Sequence, residues 1–279
     1  MDDALTRLIR RFELRASVFH TGALCRNASF TAEPAVGYIH LLRGGSLHVE
    51  SASAQPIALD QPSVLFYPRP VPHRLRPVDD DGALLVCAML EFGGPQRNPL
   101  LQHLPDLMIV PLAEIRTLEG TLEVLFSEAM AAEAPGRQGV LDRLAEVAVL
   151  QLLRDLMQRG VTRVGVLAGL ADPQLAAALD AMHEHPEQAW TLDGLARLAA
   201  MSRSRFASRF HEVVGSPPGE YLAHWRIQRA QSLLLQGQSI KRVANEVGYG
   251  SASALARLFQ ARIGQSPGAW LGQVRGNPR

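Results

Sequence analysis

Leu195 to Tyr221 reads LARLAAMSRSRFASRFHEVVGSPPGEY, and Val243 to Trp270 reads VANEVGYGSASALARLFQARIGQSPGAW. These are two copies of one pattern. Phe206, Phe210, Gly215, Pro218 and Tyr221 fall on Leu255, Phe259, Gly264, Pro267 and Trp270 at an offset of 49, whereas Leu195-Ala196 falls on Val243-Ala244 at an offset of 48. One extra residue in the second copy's turn accounts for the step.

Each copy has the physics of a helix-turn-helix. Asp193 to Ala200 and Ile240 to Val247 are short amphipathic stretches, with a small Ala196 or Ala244 where a second helix must cross closely. The turns follow at Ala200-Met201 and at Gly248-Tyr249-Gly250, where glycine admits positive φ. Ser202 and Ser251 are placed to cap the second helices. Gly215 and Gly264 are placed to end them, and Pro218 and Pro267 suit the first turn of the helix that follows. The second helix of each pair should enter a major groove by its N-terminal half. Its outward residues are Arg203, Ser204, Arg205, Ser208 and Arg209 in the first copy, and Ser251, Ala252, Ser253, Ala256 and Arg257 in the second. A long helix from Gly219 to Gln236 joins the copies and holds the two reading helices about one DNA turn apart.

Charge supports a polyanion as partner. The whole chain of 279 residues carries a net charge of +1, but residues 190–279 hold 12 Lys+Arg against 4 Asp+Glu, leaving 16 against 23 in the remainder. The basic end carries +8 and the rest −7.

Residues 14 to about 111 differ in kind. Short apolar runs (SVFHTGALC, GYIHLLRGGSLHVE, SVLFYP, GALLVCAMLEF) alternate with Gly/Pro/Asp punctuation, the pattern of strands in a sandwich or barrel. Residues 113–133 and 138–159 read as two helices broken at Pro135-Gly136. The second is apolar around much of its circumference, which calls for a second copy of the chain as cover, with Leu150 and Leu153 among the outward positions. The expected fold is therefore α+β in two domains. Residues 1–160 form a strand-rich and dimerisation domain, 161–172 a linker, and 173–279 an all-α tandem helix-turn-helix domain.

The second copy closely resembles the AraC/XylS family of bacterial transcription regulators. The resemblance rests on I-x-x-V-A-x-x-V-G-Y from Ile240 to Tyr249, Ser251-x-Ser253, Leu255-x-x-x-Phe259 and Gly264-x-Ser266-Pro267-x-x-Trp270. Small residues at Ser204, Ala252 and Ala256 replace bulkier reading residues of relatives, so the operator bases do not carry over. The N-terminal region resembles the cupin-like sensor domain of some of these regulators, through Tyr38-Ile39-His40, Arg43-Gly44-Gly45, Phe66-Tyr67-Pro68 and Pro72-His73-Arg74-Leu75. Asp60-Gln61-Pro62 replaces the usual Gly-Asp, and the full His/His/Glu metal set is missing. Members with two cysteines at the places of Cys25 and Cys87 look like oxidant sensors, including activators that respond to hypochlorous acid.

The resemblance thus implies a regulator with a double-stranded DNA operator and, if it activates, RNA polymerase as a further partner. The apolar helix implies a homodimer, and the lack of any run of about 18 apolar residues or of an N-terminal apolar block points to a cytoplasmic protein with no membrane association. The signal stays open among three readings. Cys25 and Cys87 form a redox pair, with Arg26 beside Cys25 favouring it as the first thiol oxidised. Alternatively, His40 and His73 join a cysteine around zinc or another divalent metal, or the barrel takes a small-molecule effector. Buried cysteines and histidines are also what a packed barrel uses without any signal. The sequence holds no nucleophile elbow, phosphate loop or H-x-H…E triad, so a non-enzyme is expected and a cupin metalloenzyme is the distant alternative.

Overall fold

The described residues of the alternating region form nine strands: β1 (Leu14–Leu24), β2 (Ala28–Phe30), β3 (Val36–Gly44), β4 (Leu47–Ser51), β5 (Ala54–Leu59), β6 (Ser63–Tyr67), β7 (His73–Pro77), β8 (Ala83–Phe92) and β9 (Met108–Pro111). The computed structural model describes residues 5–6, 14–32, 36–51, 54–92, 101, 103–131 and 134–276. The strands form two sheets, ordered β1-β8-β3-β6-β9 and β2-β7-β4-β5, and every neighbouring pair is antiparallel. Strand β7 shows the driving pattern: His73 and Leu75 are buried, while Arg74 and Arg76 between and beside them face water. The inward faces of the two sheets supply one core, including Leu42, Leu47, Val49, Leu65, Leu75, Leu85 and Cys87. Strand β5, too irregular to show a period, carries Pro56 and lies at a sheet edge, where a missing N–H costs no ladder bond.

Two helices follow, α1 (Glu119–Met130) and α2 (Arg137–Gln158). The start of the first expected helix is instead two short 3-10 turns, Leu112–Glu114 and Arg116–Leu118. Helix α2 packs on β1, the edge of its sheet, and its polar side chains satisfy that edge. Asp142 Oδ1 accepts from Val18 N at 2.7 Å, Glu146 Oε1 from Ala16 N at 3.3 Å, and Gln138 Nε2 donates to Val18 O at 2.8 Å. An edge strand finished in this way cannot pair with another chain at those groups. The apolar circumference of α2 is mostly consumed within its own unit. Leu153, expected to face outward, is fully buried, whereas Leu150 is half-buried and Val140 and Val147 are exposed.

From residue 162 the chain is helical: α3 (Val166–Ala171), α4 (Ala176–Glu184), α5 (Leu192–Leu198), α6 (Arg203–Val214), α7 (Pro218–Leu235), α8 (Ile240–Glu246), α9 (Ala252–Ile263) and α10 (Pro267–Gly276). Within 161–172, read from the sequence as a linker, α3 buries Val166, Leu167 and Leu170, so chain order there comes from apolar packing that the short segment hid. The described residues divide into two units, 14–92 with 104–161, and 162–276 with Leu5, Thr6, Leu101 and His103. Among the described residues no helix is long and apolar enough to cross a membrane.

Candidate nucleic-acid interface and sensor site

Both helix-turn-helix pairs are built as their sequences require. Ser202 Oγ accepts from Arg205 N at the start of α6, and Ser251 Oγ from Ala254 N at the start of α9. Both helices end on a left-handed glycine, Gly215 at φ 86° and Gly264 at φ 84°. Phe206 and Phe210 in α6, and Leu255 and Phe259 in α9, are fully buried and fix which face of each helix remains outside.

That outer face carries most of the expected reading residues. Arg203, Ser204, Arg205 and Ser208 are exposed on α6; Ser251, Ser253 and Arg257 are exposed at and along α9, with Ala252 and Ala256 half-buried beside them. The ion pair of Arg203 with Asp193 spans 3.7 Å between two exposed side chains, too weak to hold Arg203 from a phosphate. Arg209 differs. Its Nε and Nη2 donate to Asp172 Oδ2 at 3.0 and 2.7 Å, and the Asp172 side chain is 6% exposed. Asp172 Oδ1 in turn accepts from Gln174 N and Leu175 N. The Arg209 guanidinium, grouped from sequence with the DNA contacts, therefore fastens the reading helix to the turn before α4. No sequence spacing signals that pairing, because Asp172 lies 37 residues upstream.

In the barrel, the structure brings His40 and His73 together. Their Nε2 atoms stand 2.8 Å apart, and His73 Nδ1 lies 2.7 Å from Val71 O. The carbonyl requires a proton on His73 Nδ1, so His73 Nε2 accepts and His40 Nε2 donates. His73 stacks between Tyr67 at 3.8 Å and Phe30 at 4.6 Å between ring centres. Burial holds His40 well below the ordinary histidine range, with His73 and His20 adding to the effect. It brings His73 down to about 4 against the opposing Val71 carbonyl. Both rings are neutral at pH 7. His40 Nδ1, His20 Nε2 and Tyr67 Oη are buried without a hydrogen-bond partner.

A metal does not fit this pair. Two imidazole nitrogens on one zinc ion, at about 2.0–2.1 Å each, stand well over 3 Å apart in tetrahedral geometry, whereas these share a proton at 2.8 Å. Among the described residues no group of three or more His, Cys, Asp or Glu is disposed to hold a metal ion. A cavity of about 480 Å³ in the same unit is lined by Arg43, Leu112, Arg116, Leu122 and Phe126, none of them in the barrel core.

The structure does not bring Cys25 and Cys87 together. Cys87 lies in β8 opposite both His20 of β1 and His40 of β3. Cys25 follows the end of β1, where Leu24 pairs Ala83. Five residues along a strand separate it from the level of Cys87, on the order of 16 Å, against the roughly 7 Å limit between Cα atoms for a disulfide. Cys25 is exposed; Cys87 is buried, and burial pushes its thiol up to about 12. A direct bridge requires β1 to slide or unpair.

Comparison with known families matches residues 3–158 to the Cupin family and residues 195–273 to a helix-turn-helix domain. A putative AraC-like transcription regulator of Streptomyces lividans is 32% identical, over 96% of this chain and 96% of its own. The HTH-type transcriptional regulator AlkR of Acinetobacter baylyi is 31% identical over 83% of this chain and 78% of its own. The RCS-specific HTH-type transcriptional activator RclR of Escherichia coli is 29% identical over 85% and 84%.

Proposed function

The chain belongs to the AraC-like transcription regulators, a DNA-binding family, and from that premise we propose that α6 and α9 read two boxes of one operator while the barrel receives an oxidant signal at Cys25. The observation that carries the DNA reading is the pair of capped helices that expose Arg203, Ser204, Arg205 and Ser208, and Ser251, Ser253 and Arg257, in the basic C-terminal third of the chain. Such a regulator works in the cytoplasm, where the DNA is. If it activates, RNA polymerase is a further partner. The outward strip Val140, Leu144, Val147 and Leu150 on α2 is the face we assign to a second copy.

The oxidant reading draws on the exposure of Cys25 and on the likeness to a relative named as RCS-specific. A two-electron oxidant such as hypochlorous acid converts the Cys25 thiolate to sulfenic acid, releasing chloride. Resolution by Cys87 then demands that β1 leave its register on β8, so the signal is a rearrangement of the sheet edge that α2 covers. The test is transcription from one target promoter with and without hypochlorous acid. Cys25→Ser should lose the response and keep basal DNA binding, while Cys87→Ser should keep a first oxidation at Cys25, read by mass spectrometry. An unchanged response in Cys25→Ser ends the oxidant reading.

One observation favours a second reading. The unpartnered His20 Nε2, His40 Nδ1 and Tyr67 Oη offer donor and acceptor atoms to a small polar effector inside the barrel. A promoter response that survives Cys25→Ser but not His40→Phe would establish it.

A further inference from the structure

Helix α7 passes from one core to the next at a single residue. Trp225 packs on His183 of α4, the helix that supports the first helix-turn-helix unit, Ile227 belongs to the apolar core of the second, and Arg226 lies between them. The Arg226 Nε donates to Pro186 O and its Nη2 to Gln188 O, both at 2.7 Å. Those carbonyls belong to the turn that leads into the first unit. The same guanidinium lies over the Tyr249 ring, 5.4 Å from its centre, in the turn of the second unit. Beside it, Gly248 has φ +79°, and a Cβ there would stand 2.7 Å from Glu187 O and 2.8 Å from Arg226 Nη2. Two turns, one from each unit, thus meet backbone to backbone, and one cation holds both.

This junction removes a freedom that α7 alone leaves. A single helix curves and flexes along its length, and 18 residues of it separate the two reading modules. A second attachment off the helix axis turns a one-point connection into a braced one. The bracing matters because DNA is unforgiving of spacing: each base pair added between two boxes moves one box by about 3.4 Å and rotates it by roughly 34–36°.

We propose that Arg226 is a positioning residue that sets the distance and angle between α6 and α9, and with them the number of base pairs between the two operator boxes. The proposal rests on the reading that both helices engage one DNA. A guanidinium fork is needed, since two carbonyls in fixed directions cannot be matched by a lysine ammonium while it also stacks on a ring.

The experiment uses full-length protein and a duplex selected by the wild type from a random pool, with its two boxes located by footprinting. Affinity is measured for that duplex, for versions with one or two base pairs inserted between the boxes, and for each box alone. The wild type should lose about tenfold or more on a one-pair insertion, the size of a lost base contact. Arg226→Ala should bind the parent duplex about tenfold more weakly, yet lose only about threefold or less on insertion, with single-box affinity little changed. Arg226→Lys should behave like the alanine variant although its charge is retained, which separates positioning from phosphate contact. Tyr249→Leu, which keeps apolar bulk, should shift spacing tolerance in the same direction and serves if Arg226→Ala fails to fold by circular dichroism. The proposal is overturned if these variants keep the wild-type penalty for insertion. It falls together with the two-box reading if the wild type itself binds one box as tightly as two, or tolerates the insertion.

Discussion

The two helix-turn-helix units share a skeleton and differ in what surrounds it. In the first, Tyr221 hydrogen-bonds His183 of α4 at 2.6 Å, and Arg209 pairs with Asp172 ahead of that helix. In the second, the residue matching Tyr221 is Trp270, and it packs edge-on against Phe259 in a core of apolar residues. The first unit leans on two preceding helices and uses polar contacts to orient them; the second is closed by its own last helix. Identical local rules for helix, turn and cap therefore tolerate different supports, provided the buried ring positions are kept. The turns make the same point. Ala200, at the place of Gly248, is left-handed with φ 51° and is the one described residue other than glycine at positive φ.

If the shared skeleton is what folds each unit, emptying equivalent ring positions should hurt both alike. Phe210→Ala and Phe259→Ala are each expected to cost about 3–5 kcal/mol in urea unfolding of the full chain. A large loss at one and almost none at the other would break the equivalence. Gly248→Ala comes next, at about 2–3 kcal/mol, because left-handed backbone is disfavoured for alanine and its Cβ would run into the Glu187 carbonyl.

The arginines sharpen the contrast between the units. Arg209→Ala should lower stability by about 1–3 kcal/mol, since it strips a partner from the nearly buried Asp172 carboxylate while leaving that carboxylate its backbone donors. Arg257→Ala should leave stability within about 0.5 kcal/mol but cost on the order of 1–3 kcal/mol of operator affinity if it reads a guanine. Thermal unfolding alongside salt-dependent DNA titration separates the two. A reduced salt slope in Arg209→Ala with unchanged stability would return Arg209 to the DNA face. The smallest effect is a gain: Ala200→Gly relieves the left-handed alanine and should stabilise by about 0.5–1 kcal/mol, net of the entropy that glycine adds to the unfolded chain. A loss there would mean that the Ala200 methyl makes contacts worth more than its backbone strain.

How far the fold was legible varied with how local its causes are. The repeat, the caps at Ser202 and Ser251 and the closing glycines were readable because each depends on residues within a few positions of one another. Five of the nine strands among the described residues stand out as apolar runs, while β2, with three residues, and β5, interrupted by Pro56, are too short or too irregular to carry a period. The helix of 166–171 carries no readable period for the same reason: six residues hold less than two turns, and its burial comes from partners far along the chain. The expected outward position of Leu153 failed because a wheel of apolar residues cannot say which side the sheet and α1 take.

The sequence by itself determined that this chain has two helix-turn-helix pairs in a basic C-terminal third and a strand-rich region before them, since periodicity, capping and charge are properties of neighbours in the chain. Only the tertiary structure decided that His40 meets His73, that Cys25 and Cys87 stand apart along one strand pair, that Arg209 belongs to Asp172, and that Arg226 ties one turn to another. Those facts depend on strand register and on helix packing, in which residues separated by tens of positions come to within 3 Å or are kept far apart, and no local spacing encodes which of the two occurs.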